Sequence, residues 1–358
     1  MTIPPNNENQ SGRRATLKDV ANKTGYHITT ISLALRGHAS IPLETRQLIE
    51  AAALKLGYQR NEVFHALSRF RQQGRVHAPS PRIAYLENFG AGSGIQRSAH
   101  LQEMLDGARK QAELLGYQLD VLAVGEDDLD RRGVSDYLRE HHITGVILGS
   151  FQPGYAEIAL NWDEYAVAKI HSRHTEPDVT VVANDHIREV RLAFSRLAAL
   201  GYQRIGIAIG RADEDACGHR HTAGYLMEEA SIPTERHVPP LLFPYNMSAA
   251  SVRGVIARWV RRHKVDVVLC NWITIQQMLE NEGLRVPDEV ACACLCLCGP
   301  AVPANLAGIR PHLNLVGERV VSIVVSQLKS GQLGLPESPS SLYVQSTWQE
   351  GPSAPARR

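Results

Sequence analysis

From Arg82 onward the chain alternates two kinds of segment. Short apolar runs, RIAYLE, QLDVLAV, GVILGS, VAKIH, VTVVA, RIGIAIG, VDVVLC and VACACL, are separated by stretches such as LQEMLDGARKQAELLGY and REVRLAFSRLAALGY. In those stretches apolar residues return every three to four positions. Runs of four to eight aliphatic residues predict buried strands, and the 3.6-residue period predicts amphipathic helices between them. Alternation of this kind, with helices between several of the strands, implies parallel sheets covered on both faces, with ligands bound beyond the carboxyl ends of the strands. A length of 358 residues accommodates two such sheets and a further small unit. The phrase LGY at Leu56, Leu115 and Leu200 ends three predicted helices. Glycine at a helix C-terminus explains it without an internal repeat.

The first sixty residues follow a different rhythm. Thr16-Leu17-Lys18-Asp19 has the form of a capping box, and Leu17, Val20 and Ala21 recur at helical spacing as far as Gly25. After Gly25-Tyr26-His27, the segment Ile28 to Arg36 places Ile31, Ala34 and Leu35 on one side. Thr29, Ser32, Leu33 and Arg36 lie on the other. Gly37 closes that helix, and Pro42 opens a third with Leu48, Ile49, Ala52, Ala53 and Leu56 as its apolar positions. Two helices joined at a tight glycine turn and braced by a third form a helix-turn-helix arrangement, whose second helix suits a DNA major groove.

Charge supports that division. Residues 1–75 carry eleven Lys/Arg against five Asp/Glu, a surplus of +6; the rest carries 27 against 32, or −5, giving the overall +1. Only the N-terminal part is suited to a polyanion. The opening MTIPPNNENQSGRR has no apolar signal core, and no apolar run approaches the roughly 18 residues of a membrane span, so a cytoplasmic chain without membrane contact is expected. Four of the six cysteines, Cys292, Cys294, Cys296 and Cys298, alternate in ACACLCLC. Same-face residues of a strand stand roughly 6.5–7 Å apart, whereas two thiolates on one zinc lie near 4 Å from each other, so an extended run cannot chelate by itself. Small buried hydrophobes and a metal or redox sensor are the two readings. His171, His174, His219 and His221 show no metal-ligand spacing, and neither metal nor cofactor is expected.

The segments TLKDVANKTGYHITTISLALRG and IPLETRQLIEAAALKLGYQRN resemble the lactose/galactose repressor (LacI/GalR) family of bacterial regulators, without a gap. The resemblance implies that Ile28, Thr29 and Leu33 read bases while Thr30, Ser32, Arg36 and Thr45 contact phosphates. His27 stands where the family usually has Ser, and Leu33 where many members carry Arg. An Arg there could grip guanine through two hydrogen bonds. Leu33 offers only apolar contact, for instance to a thymine methyl, so a different operator is expected. Residues 61–80 resemble the family's hinge helix and linker, with Leu67 as the wedge inserted into the minor groove. Thr16, Asn61 and His65 complete the DNA-facing set, and an ordinary connector helix is the other reading of the hinge. Phe64 and His65 replace the family's small residue and Arg.

The resemblance implies an all-α head over 16–60 behind a polar tail, 1–15. It also implies a two-lobed, periplasmic-binding-protein-like α/β effector and dimerisation domain over 81–348. Three chain crossovers between its lobes are expected near 180–188, 295–300 and 309–314. At the cleft the family pattern changes. His221 replaces the Arg that precedes a Gly-aromatic pair, here Gly224-Tyr225, and Asn271-Trp272 replaces an Asn-Asp pair. The acidic pair after the last long strand gives way to the cysteine run. Asn88, Ser150, Arg173, His221, Asn271 and Trp272 are the candidate effector residues, with Trp162 near another strand end. The effector is a small, carbohydrate-like molecule, another metabolite, or none. No nucleophile elbow, phosphate loop or metal triad supports an enzyme. The expected function is that of a transcriptional regulator, a repressor or dual regulator binding a palindromic DNA operator as a homodimer.

Overall fold

The structure is a computed structural model that describes residues 17–35, 41–56, 80–88, 98–124, 131–149, 151, 158, 160–171, 175–244 and 248–357. The chain divides into two compact units, Met1–Ala78 and Pro79–Arg358.

In the first unit, α1 (Leu17–Thr24), α2 (Ile28–Ala34) and α3 (Leu43–Lys55) pack around Val20, Ile31, Ala34, Ile49 and Ala53. Gly25, at φ +75°, takes the left-handed conformation that ends α1, and its N–H donates to the Ala21 carbonyl at 2.9 Å. Leu35 and Leu56 border the core as their spacing predicts. Leu48 does not join them: it is 52% exposed, because Ile49 and Ala53, one turn apart, fill the inward face of α3.

The second unit contains two lobes. In the first lobe, β1 (Arg82–Glu87), α4 (Ala99–Leu114), β2 (Gln118–Ala123), α5 (Arg131–Glu140), β3 (Gly145–Leu148), β4 (Ala166–Ile170) and β5 (Val181–Asn184) are joined late in the chain by α11 (Leu313–Ser330) and β11 (Ser341–Val344). Its six strands lie in the order β2-β1-β3-β4-β5-β11, all parallel. Helices α4 and α11 cover one face, burying Met104, Leu105, Val316, Val320 and Val324, while Val134 and Leu138 of α5 cover the other. Gly107 and Gly317 let α4 and α11 touch backbone to backbone, and a methyl at Gly317 would overlap the Met104 carbonyl oxygen.

The second lobe comprises α6 (His186–Ala199), β6 (Ile205–Gly210), α7 (Arg211–Ala216), α8 (Arg220–Glu229), β7 (Leu241–Phe243), α9 (Ala249–His263), β8 (Val267–Cys270), α10 (Ile275–Glu280), β9 (Ala291–Cys294), β10 (Ala307–Arg310) and β12 (Thr347–Gln349). The strand order is β7-β6-β8-β9-β10-β12, parallel except for the β10–β12 pair. The antiparallel edge departs from the expected all-parallel sheet. Beyond it the chain stays packed: the Ser353 hydroxyl donates to Cys292 O at 2.7 Å and accepts from Ala307 N at 2.8 Å. Tyr202 donates to Pro355 O at 2.8 Å.

The chain passes between lobes after β5, after β10 and after β11. The first two passages fall in the expected windows. The third lies between Val344 and Thr347, not at 295–300, since β9 and β10 pair within one sheet. The 295–300 loop only leans on the other lobe, where Gly299 N donates to Glu103 Oε1 at 2.5 Å. One side chain ties the passages together: the Asn184 amide, buried at the end of β5, donates to Pro311 O at 2.6 Å and Val344 O at 3.2 Å, with Ser346 Oγ at 3.4 Å.

Candidate functional site

Parallel strands end on the same side, and the turns that follow them collect polar groups. Asn88 follows β1 and is half-buried. Asn271 and Trp272 follow β8, and α7 starts directly after β6. Asp213 of α7 accepts hydrogen bonds at Oδ2 from Asn271 Nδ2 (2.9 Å) and Trp272 Nε1 (3.2 Å). The carboxylate missing from the Asn271-Trp272 pair is therefore supplied from a neighbouring element. The Trp272 ring meets Phe243 edge to face at 4.9 Å between centroids, which fixes it as a wall. Among the described residues, the buried Asn271 Oδ1 has no hydrogen-bond partner, an acceptor suited to a ligand hydroxyl or amide.

Beside this group lies a denser cluster. Gly218 (φ +68°) and His219 (φ +59°) are both left-handed and fold the start of α8 back onto α7. His221 is thereby buried with its Nδ1 at 3.0 Å from Glu214 Oε2 and 3.2 Å from Cys217 Sγ. Glu214 Oε1 accepts the Thr222 N–H at 2.7 Å. Burial opposes the charged form of His221, but hydrogen bonds to Cys217 and Glu214 outweigh it and raise its pKa to about 10. Burial likewise opposes the Glu214 carboxylate, and the His221 hydrogen bond and charge hold it down at about 2. The His186 ring stacks 4.5 Å from that of His221, and His186 Nδ1 lies 2.7 Å from Glu189 Oε2. Glu189 also accepts from the Ser346 hydroxyl, across the lobes' junction. Despite the cost of burial, His186 lowers the Glu189 pKa.

The cysteine run is not one strand. Burial raises Cys270 and Cys292 to about 12 and Cys294 further, so these three are small hydrophobes. After Cys294 the chain leaves the sheet and turns, with Cys298 N donating to Cys296 O at 3.1 Å, which brings the Cys296 and Cys298 sulfurs within 3.4 Å. The 6.5–7 Å strand spacing does not apply there.

Residues 16–61, which hold the three-helix core, match the family described as "Bacterial regulatory proteins, lacI family". Residues 96–236 match "Periplasmic binding proteins and sugar binding domain of LacI family". The chain belongs to the lacI family. Among its relatives, the transcriptional regulator CelR of Thermobifida fusca is 26% identical over 294 residues, covering 78% of this chain and 81% of CelR. The structure of a CelR–cellobiose complex superposes with a TM-score of 0.56 at 19% identity, covering 95% of this chain and 100% of the other. A lac repressor dimer bound to operator and the anti-inducer ONPF superposes with a TM-score of 0.53 at 16% identity, covering 96% and 100%. At such identities the two superpositions establish the fold. The chain is a lacI-family transcriptional regulator, a helix-turn-helix head followed by a two-lobed ligand-binding domain.

In this lacI-family chain, Asn271, Trp272 and His221 lie on the strand-end side of the second lobe, and Asn88 on that of the first. Asn271 and Trp272 share Asp213, whereas His221 is taken up by Glu214 and Cys217. Trp162 belongs to the hydrophobic packing of the first lobe. Ser150, Arg173 and His174 lie outside the described residues, as do Thr16, Arg36, Asn61, His65, Leu67 and the side chains of Ile28, Thr29 and Ser32. Thr30, Leu33 and Thr45 are half-buried in the head. Sequence reasoning missed Asp213, Glu214, Cys217, His186 and Glu189. The spacings Glu-x2-Cys-x3-His (214–221) and His-x2-Glu (186–189) on helical segments were the available signals.

Proposed function

We propose that the protein is a cytoplasmic repressor that binds a palindromic operator as a homodimer and responds to a small polar, sugar-like effector held between the lobes. The observation that carries this reading is the pairing of a head with its own closed core and a domain whose two lobes are joined by three chain passages. Such a domain can respond to a ligand gripped by both lobes. Asn271, Trp272 and Asp213 supply what a polyol needs: an unpartnered acceptor, an aromatic wall and a carboxylate. In the head, Leu33 gives apolar base contact, Arg36 and Thr45 phosphate contact, and Leu67 the minor-groove wedge. No catalytic step is assigned to the cleft.

The reading is tested by electrophoretic mobility shift on the protein's own upstream region at graded salt, together with sedimentation of the free protein. A dimer whose affinity falls steeply with salt is expected. A monomer that shifts no duplex at low ionic strength refutes the proposal. Thermal-shift screening against mono- and disaccharides identifies the effector by its mass-action stabilisation.

A further inference from the structure

The α7–α8 corner brings together a carboxylate, a thiol and an imidazole. Glu214 Oε2, Cys217 Sγ and His221 Nδ1 are separated by 3.0 Å (Glu–His), 3.2 Å (Cys–His) and 3.7 Å (Cys–Glu). A tetrahedral zinc ion with bonds of about 2.0–2.1 Å to N and O and about 2.3 Å to S holds its donors about 3.3–3.6 Å apart. The three separations lie within a few tenths of an ångström of those edges, so little movement is needed to admit the ion. The carboxylate is already oriented by the Thr222 N–H on its other oxygen, the outer-shell support that metal ligands usually have. Two adjacent left-handed residues, Gly218 and His219, hold the corner in shape. Glu214 and His221 are buried while Cys217 is partly open, so an ion can enter from the thiol side.

We infer that Glu214, Cys217 and His221 form a binding site for one borderline divalent cation of the zinc class, at the carboxyl end of β6 and next to the effector residues of the second lobe. Cys217 binds as thiolate and His221 as neutral imidazole, so their protons pass to solvent as the ion enters. The thiolate and the Glu214 carboxylate balance the ion's two positive charges. The fourth tetrahedral position is left for water or a ligand oxygen. His186, Glu189 and His221 are also mutually close, but they include no thiolate, and Glu189 is engaged across the lobe junction by Ser346. The site lies wholly within the second lobe and does not depend on the sugar-like effector or on DNA binding.

The test is titration of the full-length protein with cobalt(II), carried out with Cys296→Ser and Cys298→Ser in place so that the other close thiol pair cannot contribute. Cobalt should bind at one equivalent with a near-ultraviolet sulfur-to-metal charge-transfer band and visible bands of tetrahedral intensity, and zinc should displace it. Cys217→Ser should abolish the charge-transfer band. Glu214→Gln, checked for folding by circular dichroism, should weaken binding at least about tenfold. Absence of the band in the parent protein, or its persistence in Cys217→Ser, overturns the assignment. Visible bands lost on His186→Gln but kept on Cys217→Ser overturn it too, placing the ion in the neighbouring group. Mobility shifts on the same preparations report DNA binding separately, so failure of one claim leaves the other standing.

Discussion

Asn184 offers the most direct test of how the two lobes are held. Its amide donates to the main chain of both other passages, at Pro311 O and Val344 O, in a buried setting. The contact with Ser346 Oγ at 3.4 Å is too long to add much. Replacing Asn184 by Ala removes the donor and leaves two buried carbonyl oxygens without that hydrogen bond. At about 1–2 kcal/mol per lost bond the variant should lose about 2–4 kcal/mol. At about 2 °C per kcal/mol for a unit of this size, that is a fall in Tm of about 4–8 °C. Asn184→Asp keeps the shape but turns a donor into an acceptor opposite two carbonyls, so it should lose more than Asn184→Ala. Differential scanning calorimetry of the three proteins at one pH and salt decides the matter. If both variants melt within about 1 °C of the parent, the amide does not bind the passages together and the reasoning is wrong.

The remaining predictions concern other parts of the molecule. Gly317→Ala forces a methyl into the Met104 carbonyl where α11 crosses α4, and should cost at least about 2–3 kcal/mol in urea unfolding; a loss under about 0.5 kcal/mol would mean that the helices part easily. Of the six thiols, Cys217, Cys296 and Cys298 are partly exposed and Cys270, Cys292 and Cys294 are buried, so a native-state thiol titration should show a fast phase of three and a full count only in denaturant. Leu67→Ala should lose operator affinity with an unchanged Tm, because it deletes the wedge alone; equal affinity in the mobility-shift assay refutes the hinge assignment. Arg36→Ala should weaken binding to all sequences alike and reduce the salt slope by about one; a loss confined to one sequence would make Arg36 a base reader.

The elements that read most plainly from the sequence are those whose side chains are buried on both faces. Strands β3, β6 and β8 have every residue buried, and each appears as an unbroken apolar run; β4 is buried throughout as well, although Lys169 interrupts its run AVAKI. Strands β7, β10, β11 and β12 escaped the same reading. All have three or four residues: β7, β11 and β12 are edge strands, partly or largely exposed, while β10 is an inner strand whose four residues AGIR include a glycine and an arginine. No apolar run marks any of them. The third lobe passage was missed with them, since it runs between β11 and β12. Cys296 and Cys298 were misjudged because the apolar alternation continues past the point where the backbone turns. Asn271, Trp272 and His221 could be found from their places beside Gly224-Tyr225 and after a strong strand. Their partners Asp213 and Glu214 come from the short helix α7, whose acidic character resembles an ordinary solvated surface, and Cys217 directly follows it.

The first lobe is discontinuous along the chain, and this bears on how the protein is made. Its sheet is begun by residues 82–184, but the helix that seals it, with Val316, Val320, Val321 and Val324 buried, and its edge strand come from residues 313–344. During synthesis the apolar face of α4, β3 and β4 must wait, uncovered, while the ribosome adds more than a hundred residues of the other lobe. Neither lobe is therefore a heritable module that can be cut out or shuffled as one stretch of gene. A premature stop between Asn184 and Leu313 should yield a sticky nascent product for the cell's quality control to clear, not a truncated protein with half the activity.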